Sequence, residues 1–221
     1  CADPVKRVSL ELGGKSPAIV FADADLDDAI ASTAYGIYYS AGQSCDARSR
    51  LLVEQSIYDD VVNRVAEKAG AVRVGDPLDP ETHMGSLISL AHRAKVHGMV
   101  ETGRGEGGEV VVGGEPTEGD GAFYPPTVLA GVASDQTVAQ EEIFGPVIAV
   151  IPFEDEKDAV RIANDVRYGL VATVWTGDPA RGHRLARSIK SGTFTINLPY
   201  GAFPGVPVGG YKQSGFGREQ A

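Results

Sequence analysis

The 221-residue sequence is poor in the side chains that bind metals or form redox pairs. It holds two cysteines, Cys1 and Cys45, and neither belongs to a C-x-x-C pair, which excludes the common zinc-knuckle and dithiol motifs. The four histidines do not cluster, and the spacing of His92 and His97 puts them on different faces of a helix. We therefore expect no metal site, a reducing cytoplasmic location, and Cys45 as a free thiol.

The sequence also lacks an excess of positive charge and any long apolar run. It has 20 Lys and Arg against 30 Asp and Glu, a formal net charge of −10. Phosphate groups repel such a chain, which argues against nucleic acid or an anionic membrane as a partner. No stretch approaches the ~20 apolar residues of a membrane helix, and the opening residues lack the basic start of a signal peptide. Because the chain does not begin with Met, we expect its start to be an internal cut through a longer protein.

What remains is an ordinary globular composition with alternating element types. Hydrophobic residues make up 43% and charged residues 23%, enough apolar surface for a real core. Strand-like and helix-like segments alternate along the chain, which is typical of an α/β layer fold in a single domain over residues 1–221.

The pattern predicts the following boundaries for these elements. Strands are expected at 16–21, 50–54, 109–112, 146–151, 170–175 and 193–197, and helices at 25–40, 56–69, 89–102, 154–166 and 178–191. Asp23 or Asp25 is the expected cap of the first helix, and Ser56 that of the second. Glycine and proline density predicts loops over 75–85 and 198–217.

Cys45 stands between a predicted helix and a predicted strand. Residues at such junctions are exposed at the rim of the sheet, where ligands of open α/β folds bind. A free cysteine is only a few per cent thiolate at neutral pH, yet it is a strong nucleophile. The other interpretation is a buried, inert thiol, and position alone leaves both open.

Four segments resemble the signature segments of the aldehyde dehydrogenase family and stand in that family's order. They are Glu-Leu-Gly-Gly-Lys-Ser-Pro at 11–17, Gly-Gln-Ser-Cys at 42–45, Glu-Glu-Ile-Phe-Gly-Pro at 141–146, and Pro-Val-Gly-Gly-Tyr-Lys-Gln-Ser-Gly at 207–215. The resemblance covers essentially the whole chain. It implies a three-layer fold, an open, twisted, mostly parallel sheet with helices on both faces.

The resemblance also implies a covalent reaction. Cys45 would attack an aldehyde, the resulting thiohemiacetal would pass hydride to NAD or NADP, and Glu11 would activate the water that hydrolyses the thioester. A carboxylate can act as this base if burial raises its pKa toward neutrality. The backbone N–H of Cys45 is a natural donor to the oxyanion formed on attack.

Further residues receive cofactor and substrate roles from the same resemblance. Glu142 would hold the ribose beside the nicotinamide, Phe144 would pack near the nicotinamide ring, and Leu12 and Gly13 would let backbone approach the cofactor. The residues expected to line the substrate channel are Ser44, Asp46, Ala202 and Val208.

Asp46 departs from the family pattern, because a small or neutral residue usually follows the nucleophile. A carboxylate facing the thiol would raise the pKa of Cys45. We expect Asp46 to point away and to pair with Arg48 or Arg50. If it faces the aldehyde instead, it would favour a cationic substrate. Ala202 and Val208 replace common aromatic residues, so a wider channel is expected.

The family's amino-terminal, dinucleotide-binding half has no counterpart in this sequence. We therefore expect the 221 residues alone to bind the cofactor weakly and to oxidise aldehydes poorly. The full-length protein is expected to assemble as a homo-oligomer. The alternatives are a cysteine esterase or hydrolase, which needs a histidine beside Cys45, a CoA-acylating relative, and a non-catalytic module that keeps the fold.

Overall fold

The computed structural model describes residues 3–198 and 205–220. The strands within these ranges are β1 (Leu10–Glu11), β2 (Pro17–Val20), β3 (Arg50–Glu54), β4 (Glu109–Val112), β5 (Thr127–Ala130), β6 (Val147–Phe153), β7 (Tyr168–Gly169), β8 (Val171–Trp175), β9 (Thr193–Ile196), β10 (Tyr211–Lys212) and β11 (Gly215–Phe216). The helices are α1 (Leu26–Tyr38), α2 (Tyr58–Gly70), α3 (Leu90–Gly105), α4 (Thr137–Gln140), α5 (Glu156–Asn164) and α6 (Pro179–Ser188). Short 3₁₀ turns lie at Tyr39–Gly42 and Gln55–Ile57.

Seven strands form one sheet in the order β4-β5-β6-β3-β2-β8-β9. All neighbouring strands run parallel except the edge strand β4, which is antiparallel to β5. Strands buried on both faces consist of continuous apolar runs, and Val147–Ile151 is such a run, with every residue at most 1% exposed. The predicted α/β class with a mostly parallel sheet is confirmed.

The helices cover both faces of this sheet. The connection from β2 through α1 to β3 moves toward one edge, whereas the connection from β6 through α5 toward β8 moves toward the other. Since crossovers between parallel strands are right-handed, these two connections place their helices on opposite faces. Helices α1 and α2 pack together, and α5 and α6 contact β6 and β8. The result is the three-layer arrangement expected from the sequence.

Helix starts follow the predicted capping residues in one case and not in another. The Asp25 carboxylate accepts hydrogen bonds from the N–H groups of Asp27 and Asp28, so Asp25 rather than Asp23 begins α1. The prediction that Ser56 caps α2 is wrong. Ser56 lies inside the 3₁₀ turn that precedes α2, its hydroxyl donates to Glu54, and Ile57 takes the N-cap position of the helix without a side-chain cap.

A buried arginine ties three elements together at the amino ends of the strands. The Arg50 side chain donates from Nε to the Lys15 carbonyl at 2.8 Å, and from its two Nη atoms to Ile162 and Ala163 at 2.8 and 2.9 Å. The last two carbonyls belong to the C-terminal turn of α5, where a positive charge is favourable. Arg50 therefore joins β3, the segment before β2 and α5. The predicted ion pair of Asp46 with Arg50 is wrong, because these carbonyls receive the guanidinium N–H groups.

Several elements escaped prediction. Strand β5 and the four-residue helix α4 were not foreseen. Residues 198–217 were predicted as a loop, yet β10 pairs with β7 and β11 pairs with β1. Two-residue strands carry no readable periodicity, and their partners lie far away in the sequence.

Candidate active site

The residues singled out from the sequence meet at the amino ends of the parallel strands. Cys45, an exposed free thiol, lies in the loop before β3, while 11–14 precede β2 and 142–145 precede β6. Open α/β folds ordinarily bind ligands outside the carboxyl ends of their strands. Cys45 is exposed, as expected. It lies at the amino ends of the strands, however, and not at the carboxyl ends that this general rule favours.

Two glycines allow three of these segments to touch. A Cβ on Gly14 would overlap the backbone oxygen of Cys45, and one on Gly13 would overlap the carboxylate of Glu142. The backbone N–H of Gly14 also donates to Oε1 of Glu142 at 2.9 Å. A side chain at position 14 would meet backbone that cannot move aside, so Gly14 sets the close approach of its segment to Cys45, whereas the flexible Glu142 side chain fills the space beside Gly13.

The electrostatic surroundings of Cys45 are acidic. Partial burial is the largest cause that raises the pKa of the Cys45 thiol, and the Asp46 carboxylate is the next. Glu142 and Glu11 act in the same direction, while the backbone N–H of Cys45 opposes them. Each of these carboxylates is thus close enough to Cys45 to affect its charge. The described structure brings together the nucleophile, the expected base and the expected ribose ligand.

Asp46 bends back toward its own loop. Its carboxylate accepts a hydrogen bond from the hydroxyl of Ser44, and both residues are half-buried. Arg48, the other expected partner of Asp46, donates from Nε to Thr173 Oγ1 at 3.3 Å. The Asp46 carboxylate therefore lies beside the thiol, where it raises the pKa of Cys45.

Glu11 is held by the C-terminal part of the chain. It lies in β1 opposite Gly215 of β11, and the N–H of Leu12 donates to the Ser214 carbonyl at 3.1 Å. The side chains of Glu11 and Leu12 are both exposed. The burial that a carboxylate base needs is not provided by the described residues.

Phe144 forms one wall of an open groove beside the loop that carries Cys45. The groove measures about 490 Å³ and is lined by Gln43, Ser86, Leu87, Ile88 and Phe144. Gln43 Oε1 accepts from the N–H of Ile88 at 2.8 Å, which joins the loop of Cys45 to the segment before α3. A mostly apolar groove of this size with a few polar groups suits a flat ring with polar substituents.

Two residues of this region were missed in the sequence. His92 contacts the backbone of Phe144, and Gln43 forms the link just described. Gln43 stands in the segment at 42–45 that resembles the family, but the sequence indicates neither its contact nor that of His92, since each contact joins segments far apart along the chain.

The two remaining residues expected to line the substrate channel are Ala202 and Val208. Ala202 lies outside the described residues. Val208 exchanges two backbone hydrogen bonds with Glu219, at 3.0 and 2.9 Å, and is half-buried. The wider channel expected from these two positions stays a prediction.

Within residues 3–198 and 205–220, no group of three or more His, Cys, Asp or Glu side chains could hold a metal ion. Among the helices of those ranges, none has the length and apolarity needed to cross a membrane.

Comparison with known proteins agrees with the geometry. The model of the aldehyde dehydrogenase family matches residues 1–221. A betaine aldehyde dehydrogenase from Cereibacter sphaeroides is 48% identical over 219 residues, which are 99% of this chain and 45% of that protein. The HpcC structure from Thermus thermophilus superimposes with a TM-score of 0.95 at 48% identity, covering 99% of this chain and 44% of that one. An aldehyde dehydrogenase from Bacillus cereus, solved as its NAD⁺ complex, gives a TM-score of 0.94 at 43% identity, covering 98% of this chain and 44% of that one.

The chain spans less than half the length of the relatives it matches. The match is nevertheless continuous across the four signature segments and the whole sheet. This chain belongs to the aldehyde dehydrogenase family.

Proposed function

We propose that the natural protein containing this segment oxidises an aldehyde to a carboxylic acid with NAD, through a thioester on Cys45. One observation carries this proposal. The exposed thiol of Cys45 lies where the Glu11 and Glu142 carboxylates act on its charge, in a chain of the aldehyde dehydrogenase family. The solved NAD⁺ complex of the Bacillus cereus relative supports NAD as the cofactor.

The reaction divides into two halves at the sulfur atom. The Cys45 thiolate forms a C–S bond to the aldehyde carbon, and the carbonyl oxygen becomes an oxyanion that the N–H of Cys45 can bind. Loss of hydride from that carbon converts the adduct to a thioester. Water then attacks the thioester with its proton passing to Glu11, the C–S bond breaks, and the acid leaves.

Bound NAD supplies the acceptor for the hydride, and the residues present fit its nicotinamide end. The ring of Phe144 is 36% exposed at the wall of the groove. The Glu142 carboxylate accepts from the N–H of Gly14, the residue that packs against the Cys45 backbone oxygen. Residues for the adenosine end belong to the half of the family that this segment lacks. The isolated 221 residues should therefore bind NAD weakly and turn over slowly.

Exposure of Glu11 has a consequence for the second half-reaction. Bulk water competes for an exposed carboxylate, so a general base works best in an enclosed site. The remaining part of the natural protein must cover Glu11 if hydrolysis is to be efficient. The exposed apolar residues around it, Val8, Leu10, Leu12 and Phe216, support such a cover.

For the substrate class, the acidic surroundings favour an aldehyde that carries a positive charge. Asp46, Glu142 and Glu11 all act on Cys45, and they would attract a cation near the reacting carbon. The Cereibacter relative is named for betaine aldehyde, whereas the equally similar Thermus relative is not. Because both relatives are 48% identical to this chain, sequence identity does not decide the substrate class. The carboxylate of Asp46 beside Cys45 is what favours a cationic aldehyde.

The test of the reaction uses the natural protein, its Cys45→Ala variant and a panel of aldehydes, with NADH followed by absorbance. Formation of NADH that the variant abolishes supports the proposal. No NADH from any aldehyde, together with ester hydrolysis in the absence of NAD, would support a hydrolase instead. The groups found to act on Cys45 are carboxylates and not a histidine, which argues against that alternative.

The test of the substrate class compares betaine aldehyde with its neutral isostere 3,3-dimethylbutanal. Removing one nearby charge should lower the preference for the cation by about five- to tenfold in Asp46→Asn. Equal kcat/KM values for both aldehydes in the unsubstituted protein would reject a cationic substrate. Homo-oligomeric assembly and a cytoplasmic location stay predictions from the sequence.

A further inference from the structure

The backbone of Phe144 has a conformation that a phenylalanine rarely adopts. Its φ is +59°, in the left-handed region where the side chain crowds the backbone. Such conformations persist where the surroundings hold them, and they concentrate at functional sites. Something must therefore fix Phe144 at the wall of the groove.

Each residue on either side of Phe144, from 141 to 145, is fixed by a contact of its own. Glu141 pairs with Arg167, and Glu142 accepts from the Gly14 N–H. Ile143 is 2% exposed, and Gly145 lies against Val96 of α3, where a Cβ would approach Cγ2 to 2.6 Å. Phe144, with its half-exposed ring, is held through its backbone.

His92, in the first turn of α3, provides that hold. Its Nε2 lies 2.7 Å from the backbone oxygen of Phe144. The two rings also meet edge to face, with centroids 6.2 Å apart and planes at 67°. The helix itself is fixed there, because Ser89 caps α3 by accepting from the N–H of His92.

We propose that His92 is a positioning residue, which holds Phe144 in its left-handed conformation so that the ring can flank the nicotinamide of NAD. The inference rests on the proposed function and adds a residue to it. The required property is a hydrogen-bond donor at Nε2, since a carbonyl oxygen can only accept. A glutamine at position 92 retains a donor, whereas a leucine of similar size does not.

The experiment compares the natural protein with His92→Leu, His92→Gln and the control His97→Leu. His97 lies on the same helix and contacts the Tyr124 hydroxyl at 3.3 Å, away from the groove. Two quantities are measured: amide hydrogen exchange over residues 143–145 without cofactor, and the NAD dissociation constant by calorimetry. Loss of one hydrogen bond should speed exchange and weaken NAD binding, each by about fivefold, in His92→Leu.

The outcomes separate the two proposals. Restoration of both quantities by His92→Gln, with His97→Leu unchanged, supports the positioning role. Unchanged exchange and NAD affinity in His92→Leu, or a His92→Gln variant as impaired as His92→Leu, overturns it. If the unsubstituted protein neither binds NAD nor oxidises aldehydes, the proposed function fails, and the exchange data still decide whether His92 holds Phe144.

Discussion

Replacing Arg50 by methionine should destabilise the fold strongly while leaving the shape of the strand intact. Arg50 is fully buried, and it donates to three buried carbonyls, those of Lys15, Ile162 and Ala163. A buried acceptor left without a donor costs about 1–3 kcal/mol. Part of that cost is offset because the variant no longer has to bury the charged guanidinium group away from water.

Three such acceptors would cost about 3–9 kcal/mol, and removal of the buried charge offsets part of this, so the net loss expected for Arg50→Met is about 3–5 kcal/mol. For a domain of this size, this corresponds to a fall in Tm of roughly 6–20 °C. The measurement is thermal and urea unfolding of the natural protein, followed by circular dichroism.

Arg184→Met is the matched control. Arg184 makes two hydrogen bonds to Glu156, at 2.9 and 2.7 Å, but its side chain is 51% exposed. An exposed ion pair contributes up to about 1 kcal/mol. Equal stability losses in the two variants would show that burial of the Arg50 contacts does not matter, and would refute the reasoning.

Three further predictions concern the site and its surroundings. Gly14→Ala pushes a methyl group into the Cys45 carbonyl and should lower kcat/KM by up to about a hundredfold. The control Gly98→Ala adds a methyl group that meets no atom within 4 Å, and it should leave kcat/KM unchanged. Similar rates in both variants would contradict the packing argument. Asp46→Asn removes a carboxylate that raises the pKa of Cys45, so the pH midpoint for iodoacetamide alkylation should fall, and an unmoved midpoint would count against contact between the two charges. Burial lowers the pKa of Lys15 from 10.5 to about 7, so between these pH values the unfolded state binds more protons than the folded state. The free energy of unfolding should therefore rise with pH across this window, by up to ~1.4 kcal/mol per pH unit. A Lys15→Met variant with the same pH dependence would show that Lys15 is not the source.

The part of the fold that could be predicted consists of elements with a local signal. The apolar runs of β3 and β6 and the capped start of α1 are visible in a few consecutive residues, and their bounds agree with the structure to within a few positions. The prediction for Ser56 was wrong because its residue type, which is typical of a helix cap, does not reveal that Ser56 lies within a 3₁₀ turn. The paired strands β1 and β11 could not be found, since neither has a pattern without the other.

In the candidate site too, residues in recognisable sequence segments were predicted, whereas contacts between distant segments were not. Cys45, Glu11 and Glu142 stand in segments that resemble a known family, and the structure places them near one another. The role of Arg50 was misjudged, because a charged residue in an apolar strand was expected to find a charged partner. It found helix carbonyls instead, and those are invisible in a linear sequence. His92 was missed for the same reason, since its partner is a backbone oxygen.

The pairing of β1 with β11 also sets a time at which the site can be complete. Cys45 and the two strands that flank it in the sequence, β2 and β3, are translated well before the rest of the sheet. Glu11 is made earlier still, but its strand partner around Gly215 emerges only after nearly the whole of this sequence has been translated. Until that partner is present, no strand fixes Glu11 relative to Cys45, and an aldehyde that meets the exposed thiol can only add to it reversibly as a thiohemiacetal.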